Sequence, residues 1–304
     1  MRILLTGSTG MIGSEVKGLL QNKHTLVEFS RKNGQDITKK EDCENAMKNV
    51  DIVIHAAAEL DEANGKEGMW KTNVEGTRNL LEAAEKKDIK QFIFLSSVGV
   101  YGDSLDVLSE KNPMNPLTTY ERSKKTGEEL VLGYQEVFPV TIIRPAIVVG
   151  PNRYWAKIFK TIRKGFPLIG KGENGWQMVH VEDVARFIVS CVGNEDTYNE
   201  DFIVAENEKH TLREVVDMIA EIQGVKKVGS MPAFLGIAAS YVFALQGKLT
   251  GTKPLLIPSH VKRLLKNREY DTTKARATGW KPKLSTREAL EKTYHELKEN
   301  NHLN

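Results

Sequence analysis

Along its first half the chain alternates between short apolar runs and longer stretches of helical rhythm. Residues 3–6, 26–29, 52–55, 92–95 and 141–143 are runs rich in Ile, Leu, Val and Phe, of a length that suits strands. Between them, 11–20, 42–48, 65–86 and 119–137 carry helical periodicity or composition. Strands separated by helices in this order predict a parallel sheet covered on both faces. This is the doubly wound α/β (Rossmann) architecture, in which ligands lie beyond the carboxyl ends of the strands. After Gly150-Pro151 the rhythm breaks into Gly- and Pro-rich segments. Two helices at 181–192 and 211–222, an unusually apolar stretch at 231–257 and a last helix near Arg287 follow. Thr118 with Glu121, Thr211 with Glu214 and Ser285 with Glu288 have capping-box spacing, which marks helix starts.

The turn after the first strand reads Thr6-Gly7-Ser8-Thr9-Gly10-Met11-Ile12-Gly13 and opens the first helix. Glycines between strand and helix permit a tight turn and bring backbone N–H groups close to a pyrophosphate at the positive helix end. This loop predicts a bound dinucleotide, held by Gly7, Thr9, Gly10, Met11, Ile12 and Gly13. An acid at the tip of the second strand would bind a ribose 2′-hydroxyl, and a basic residue would accommodate a 2′-phosphate. The tip here is Phe29-Ser30-Arg31-Lys32, so Arg31 points to NADP(H), with NAD(H) as the alternative. The expected division is a dinucleotide-binding domain over 1–150 and a smaller α/β lobe, mainly for substrate, over 151–304, with the chain crossing between them.

Tyr120 and Lys124 stand four residues apart at a helix start, so phenol and ammonium share one helical face. Ionising a tyrosine near neutrality costs about 4 kcal/mol. A cation about 4 Å away at an effective dielectric of about 20 returns a similar amount before desolvation. Upstream, Leu95-Ser96-Ser97-Val98-Gly99-Val100-Tyr101-Gly102 begins at the carboxyl end of the fourth strand. A hydroxyl there can hydrogen-bond a substrate oxygen while Tyr120 moves the proton.

These pieces together resemble the extended short-chain dehydrogenase/reductase superfamily (the NAD-dependent epimerase/dehydratase family) over nearly the whole chain. The matching segments are the glycine loop, Asp36-Ile37, His55-Ala56-Ala57-Ala58, Asn73-Val74-Glu75-Gly76-Thr77, Ser96-Ser97 through Gly102 and Tyr120 with Lys124. Arg144-Pro145 and Val179-His180-Val181-Glu182-Asp183 continue the match. The resemblance implies Ser97, Tyr120 and Lys124 as the catalytic trio, with Lys124 also holding the nicotinamide ribose. It further implies cofactor contacts from Asp36 and Ile37 at the adenine, from Ala56, Ala57 and Ala58, and from Asn73 and Pro145. For Asn73 a cap or loop hydrogen bond is the competing reading. The resemblance also implies a homodimer through the helices at 65–86 and 119–137.

Two departures loosen the substrate assignment. Nucleotide-sugar enzymes of this superfamily carry an asparagine where Ile147 stands, and an arginine that grips diphosphate where Trp176 stands. Losing an amide and a cation removes charge-assisted contacts. Arg153, Lys157, Lys171 or Lys262 could replace them. The apolar 231–257 segment resembles the branch with 3β-hydroxysteroid dehydrogenases, dihydroflavonol reductases and hopanoid-associated sugar epimerase-like proteins. It reads as a pocket wall or lid, as plain packing, or, least favoured, as a membrane-surface contact. The first reading is therefore an NAD(P)-dependent oxidoreductase interconverting a hydroxyl and a ketone on a small molecule. A nucleotide-sugar epimerase or dehydratase is the alternative, and a non-catalytic dinucleotide-binding subunit is the third.

Composition changes this picture little. The chain has 304 residues, with 40% hydrophobic, 27% charged and a net charge of +3, which argues for neither a nucleic-acid nor a membrane partner. Cys43 and Cys191 have no metal-ligand spacing and read as buried apolar residues suited to a reducing compartment. No metal is expected. A strand starting at the second residue leaves no room for a signal peptide, and no apolar run reaches the roughly 18 residues of a membrane span, so the cytoplasm is expected.

Overall fold

The computed structural model describes residues 1–60, 65–251 and 258–303. Six parallel strands form the central sheet: β1 (Arg2–Thr6), β2 (Thr25–Phe29), β3 (Ile52–His55), β4 (Gln91–Leu95), β5 (Val140–Pro145) and, after an excursion, β9 (Glu200–Val204). Their order is β2-β1-β3-β4-β5-β9. The order reverses at β1, so the crevice beyond β1 and β3 is the switch point where such sheets receive ligands. Alternation within the strands serves both faces. Ile3 and Leu5 join one apolar cluster and Leu4 the other, while Ile52 and Ile54 oppose Val53 in the same way. That is the two-sided burial that continuous apolar runs require.

The helices of this half are α1 (Met11–Leu20), α2 (Lys40–Ala46), α3 (Gly65–Trp70), α4 (Gly76–Glu85) and α5 (Thr119–Leu132). The helix predicted over 65–86 carries a π turn at Lys71–Glu75 between α3 and α4. α5 starts on the expected capping box, with Thr118 accepting from the Glu121 amide and the Glu121 carboxylate accepting from the Thr118 amide.

The remainder builds a lobe on a third apolar cluster that includes Trp155, Phe159, Trp176, Val215 and Leu290. It comprises β6 (Ile147–Val149) paired with β8 (Met178–His180), and β7 (Leu168–Ile169) paired with β10 (Ser230–Met231). Its helices are α6 (Arg153–Arg163), α7 (Val181–Ser190), α8 (Leu212–Ile222), α9 (Ala233–Thr250), α10 (Pro258–Leu264), α11 (Thr273–Ala277) and α12 (Thr286–Glu299). α7 packs against α1 beneath the main sheet, and β9 adds that sheet's last strand. The apolar stretch at 231–257 is thus mainly α9; its residues 252–257 lie outside the described residues. No helix among the described residues is long and apolar enough to cross a membrane.

Candidate active site

The glycine loop is where the sequence places it. Gly7 adopts a left-handed backbone (φ +71°), and a Cβ there would sit 2.8 Å from the Ala57 amide nitrogen. At Gly13 a Cβ would collide with the Gly7 carbonyl oxygen, so the turn between β1 and α1 closes only without side chains. Gly10 caps α1 with no side-chain hydrogen bond, so no capping side chain occupies the helix's first amides. Thr9 and Gly10 are exposed, while Met11 and Ile12 are half-buried at the start of α1.

Around this crevice the chain leaves polar atoms unsatisfied. The buried side-chain oxygens of Ser8, Ser30, Gln35 and Ser96 have no hydrogen-bond partner among the described residues. All four follow the carboxyl ends of β1, β2 or β4. Buried polar groups are normally paired; exceptions such as His24 and Thr293 lie elsewhere, but these four follow strand ends where a bound polar ligand could pair them. A dinucleotide fits this cradle: glycine-lined amides for its phosphates and hydroxyls along its length.

Arg31 follows β2 and stands 3.5 Å from the Glu59 carboxylate. Asp36 is half-buried. Burial opposes its ionisation, yet the Thr38 amide and hydroxyl hold its carboxyl below the usual range. Ile37 is buried and fills the space beside Gly76, where a Cβ would lie 2.7 Å from its Cδ1. Ala56, Ala57 and Ala58 run half-buried from the end of β3, and Pro145 closes β5.

Asn73 sits in the π turn, and its amide is engaged by protein. Its Oδ1 accepts from the Glu59 amide at 2.7 Å, and its Nδ2 donates to the Glu59 carbonyl and the Ser123 hydroxyl at 3.0 and 2.9 Å. Ser123 donates in turn to the Tyr120 carbonyl at 2.7 Å. Asn73 therefore ties the loop after β3 to the first turn of α5. π turns often occur at functional sites because they re-aim one side chain.

His55 lies below this tie, fully buried between Thr6 (2.7 Å) and Thr77 (2.9 Å). Thr77 donates to the Asn73 carbonyl, and Thr6 accepts from the Ala57 amide. That assigns the ring proton to Nε2, and burial pushes the imidazole down to about 3. His55 is a neutral strut. His180 caps α7 through Nδ1, the local hydrogen bonding expected of it. No group of His, Cys, Asp and Glu among the described residues could hold a metal. Both cysteines are buried, and burial pushes their thiols up to about 12.

Lys124 is buried one turn into α5, donating to the Leu95 carbonyl at 2.7 Å and lying over the Phe94 ring. Burial pushes its ammonium down to about 8, against the pull of Glu128. Ser97 caps the short turn 98–101, with its Oγ accepting from the Gly99 amide at 3.1 Å. Tyr120 is half-buried at the start of α5. Beneath them Arg144 donates to both oxygens of Glu128 on α5, to Asp201 on β9 and to the Tyr101 hydroxyl at 2.7 Å. These contacts hold the turn that carries Ser97 and the helix that carries Lys124 to one buried cation.

One cationic feature was not read from the sequence. Residues 266–270 run extended between the Leu105–Leu108 loop and Trp176. Arg268 lies over the buried Trp176 ring, 5.1 Å from its centroid. Two residues earlier, Lys266 stands 3.9 Å from Glu121, the neighbour of Tyr120 in sequence. The place where Trp176 removes an expected arginine thus has a guanidinium supplied from 92 residues away. Lys171 and Lys262 are exposed instead, the former beside Glu173.

The sequence model of the NAD dependent epimerase/dehydratase family matches residues 3–205. The chain is 28% identical to N-acetyl-alpha-D-glucosaminyl-diphospho-ditrans,octacis-undecaprenol 4-epimerase of Escherichia coli O157:H7, covering 96% of this chain and 93% of the relative. It is 29% identical to UDP-glucose 4-epimerase of Vibrio cholerae, covering 96% and 94%. The solved structure of UDP-glucose 4-epimerase with UDP-glucose from Thermotoga maritima matches with a TM-score of 0.80 and 25% identity over 99% of each chain.

Proposed function

Because the chain belongs to the NAD dependent epimerase/dehydratase family, we propose that it oxidises and re-reduces a ring carbinol of a sugar carried on a diphosphate, inverting that centre. This reading puts the sugar epimerase ahead of the simple oxidoreductase that the sequence favours first. The observation that carries it is Arg268 over Trp176. A guanidinium suits the charge-assisted contacts that phosphate oxygens favour, and Arg268 would exchange its hydrogen bond with Tyr270 to make them. The relatives' names, which speak of diphospho- and UDP-linked sugars, lend support.

The nicotinamide, when bound, supplies a reversible hydride acceptor. Gly7, Gly10 and Gly13 would hold the phosphates, Asp36 and Ile37 the adenine, and Lys124 the nicotinamide ribose. Tyr120 takes the proton from the carbinol oxygen and later returns it, while the Ser97 hydroxyl orients that oxygen. Lys124 lowers the cost of the phenolate by its charge. Asn73, through Ser123, fixes the turn from which Tyr120 projects.

Arg31 favours NADP(H), as no acid stands at the tip of β2. Glu59 opposes it, because Arg31 would have to exchange that carboxylate, only 13% exposed, for a 2′-phosphate. Ile147 in place of an amide favours a second reading, a reductase that exchanges its cofactor each turnover.

The test is to identify the dinucleotide in freshly purified protein and to follow UDP-sugars and a polyprenyl-diphosphate sugar by NMR. A cofactor retained through turnover, with inversion at one ring carbon, is expected. A cofactor consumed stoichiometrically, with a ketone or alcohol as product, would replace this reading with the reductase.

A further inference from the structure

α9 is built inside out. The residues it turns inward include the buried Gly236, Ser240 and Gly247, and at Gly236 a Cβ would collide with Ile169 on β7. Six of its large apolar side chains point the other way, while Ile237 and Phe243 are half-buried. Phe234, Val242 and Leu249 are 68%, 65% and 80% exposed, and Leu235, Tyr241 and Leu245 are exposed with them. At about 100° per residue these positions fall in one arc about 120° wide, running roughly 22 Å along the helix. Isolated apolar side chains on a surface are ordinary, but a continuous stripe marks a contact with something apolar.

Charge identifies the partner. The stretch 222–268, which contains α9, holds eight of the chain's 43 Lys and Arg residues and none of its 40 Asp and Glu residues. The rest of the molecule is therefore net negative, with 35 cations against 40 carboxylates. A whole-chain charge of +3 conceals this division. Not every cation is available: Lys227 is matched by Asp217 and Glu221, Lys266 approaches Glu121, and Arg268 covers Trp176. Lys226, before α9, and Lys262, after it, are exposed.

We propose that α9 lies in the plane of an anionic lipid surface, its stripe in the headgroup boundary and its flanking cations against the phosphates. Apolar burial together with electrostatic attraction is what holds an interfacial helix. A second copy on the same face would set two acid-free, cation-bearing segments together, which charge disfavours. The homodimer implied by the family resemblance uses other helices, 65–86 and 119–137. Lying on a bilayer is distinct from crossing it. The docking does not depend on which reaction the site performs.

The experiment is co-sedimentation of the full chain with vesicles of phosphatidylcholine alone or with about one-third phosphatidylglycerol, with size-exclusion chromatography alongside. The wild type is expected to bind the anionic vesicles at least tenfold more than the neutral ones and to release as salt rises. V242E/L245E is expected to lose at least tenfold of that binding with an unchanged melting temperature, since both positions are exposed. Absence of vesicle binding by the wild type overturns the proposal, as does equal binding to both compositions or full binding by the variant. An oligomer that dissolves in the variant, without vesicle binding, makes a second copy the occupant and also overturns it.

Discussion

The ammonium of Lys124 is held by the carbonyl of Leu95, the last residue of the strand that leads to Ser97. A cation this deeply buried is costly to fold, and its ammonium is pushed down to about 8. Below pH 8 it is charged in both the folded and the unfolded chain, and the burial penalty is present in full. Between about 8 and 10.5 the unfolded chain still binds the proton that the folded one has released, so stability rises with pH.

Lys124→Met should therefore melt higher than the wild type at pH 7, by about 2 kcal/mol after the lost Leu95 bond is counted. The gap should narrow toward pH 10, and turnover should be abolished. Thermal melts across pH check this; a variant that is less stable at pH 7 would contradict it.

Tyr120→Phe should lower turnover at least 10³-fold while changing dinucleotide affinity less than about threefold, as only the proton carrier is removed. Fluorescence titration alongside single-turnover assays separates the two effects. Full activity in the variant would remove Tyr120 from the mechanism.

Arg31→Ala should weaken NADP(H) about tenfold relative to NAD(H), the range of one charge-assisted contact. Glu59→Gln should shift the preference the other way, toward NADP(H), by releasing the guanidinium. Dissociation constants for both cofactors decide it, and an unchanged ratio in both variants would place the 2′-phosphate elsewhere.

Glu128→Ala should cost about 3–5 kcal/mol, because it leaves Arg144 buried beside only Asp201 and Tyr101. The double change R144M/E128L should recover much of that stability. Activity should stay low in the double variant, since the Ser97 turn and α5 no longer share an anchor. Urea melts and assays on the pair test whether the cluster serves position more than stability.

The parts of the molecule visible in sequence were those written in local pattern. The five strands before residue 146, the glycine loop and all three capping boxes stand where the spacing puts them. β9 escaped because it begins Glu200-Asp201 and lies at the sheet edge, where one side needs no apolar run. The π turn at Lys71–Glu75 escaped because its composition does not differ from that of the helix around it. Arg268 could not be matched to Trp176, since their meeting depends on a backbone bridge between distant segments. For α9 the apolar character was legible, but which face is buried depends on Ile169 and its neighbours.

β9 has a consequence for anyone recombining such enzymes. It returns to the central sheet between two excursions of the chain, one spanning 146–199 and the other 205–303. The lobe built on Trp155 and Leu290 is therefore drawn from two stretches of chain joined through one edge strand. A chimera cut at 150 would part β5 from its own β9 and separate Arg144 from Asp201. One that exchanges only the second stretch would pair a new Arg268 region with the old Trp176. A transplant of that lobe therefore has to move both stretches together and leave β9 in place.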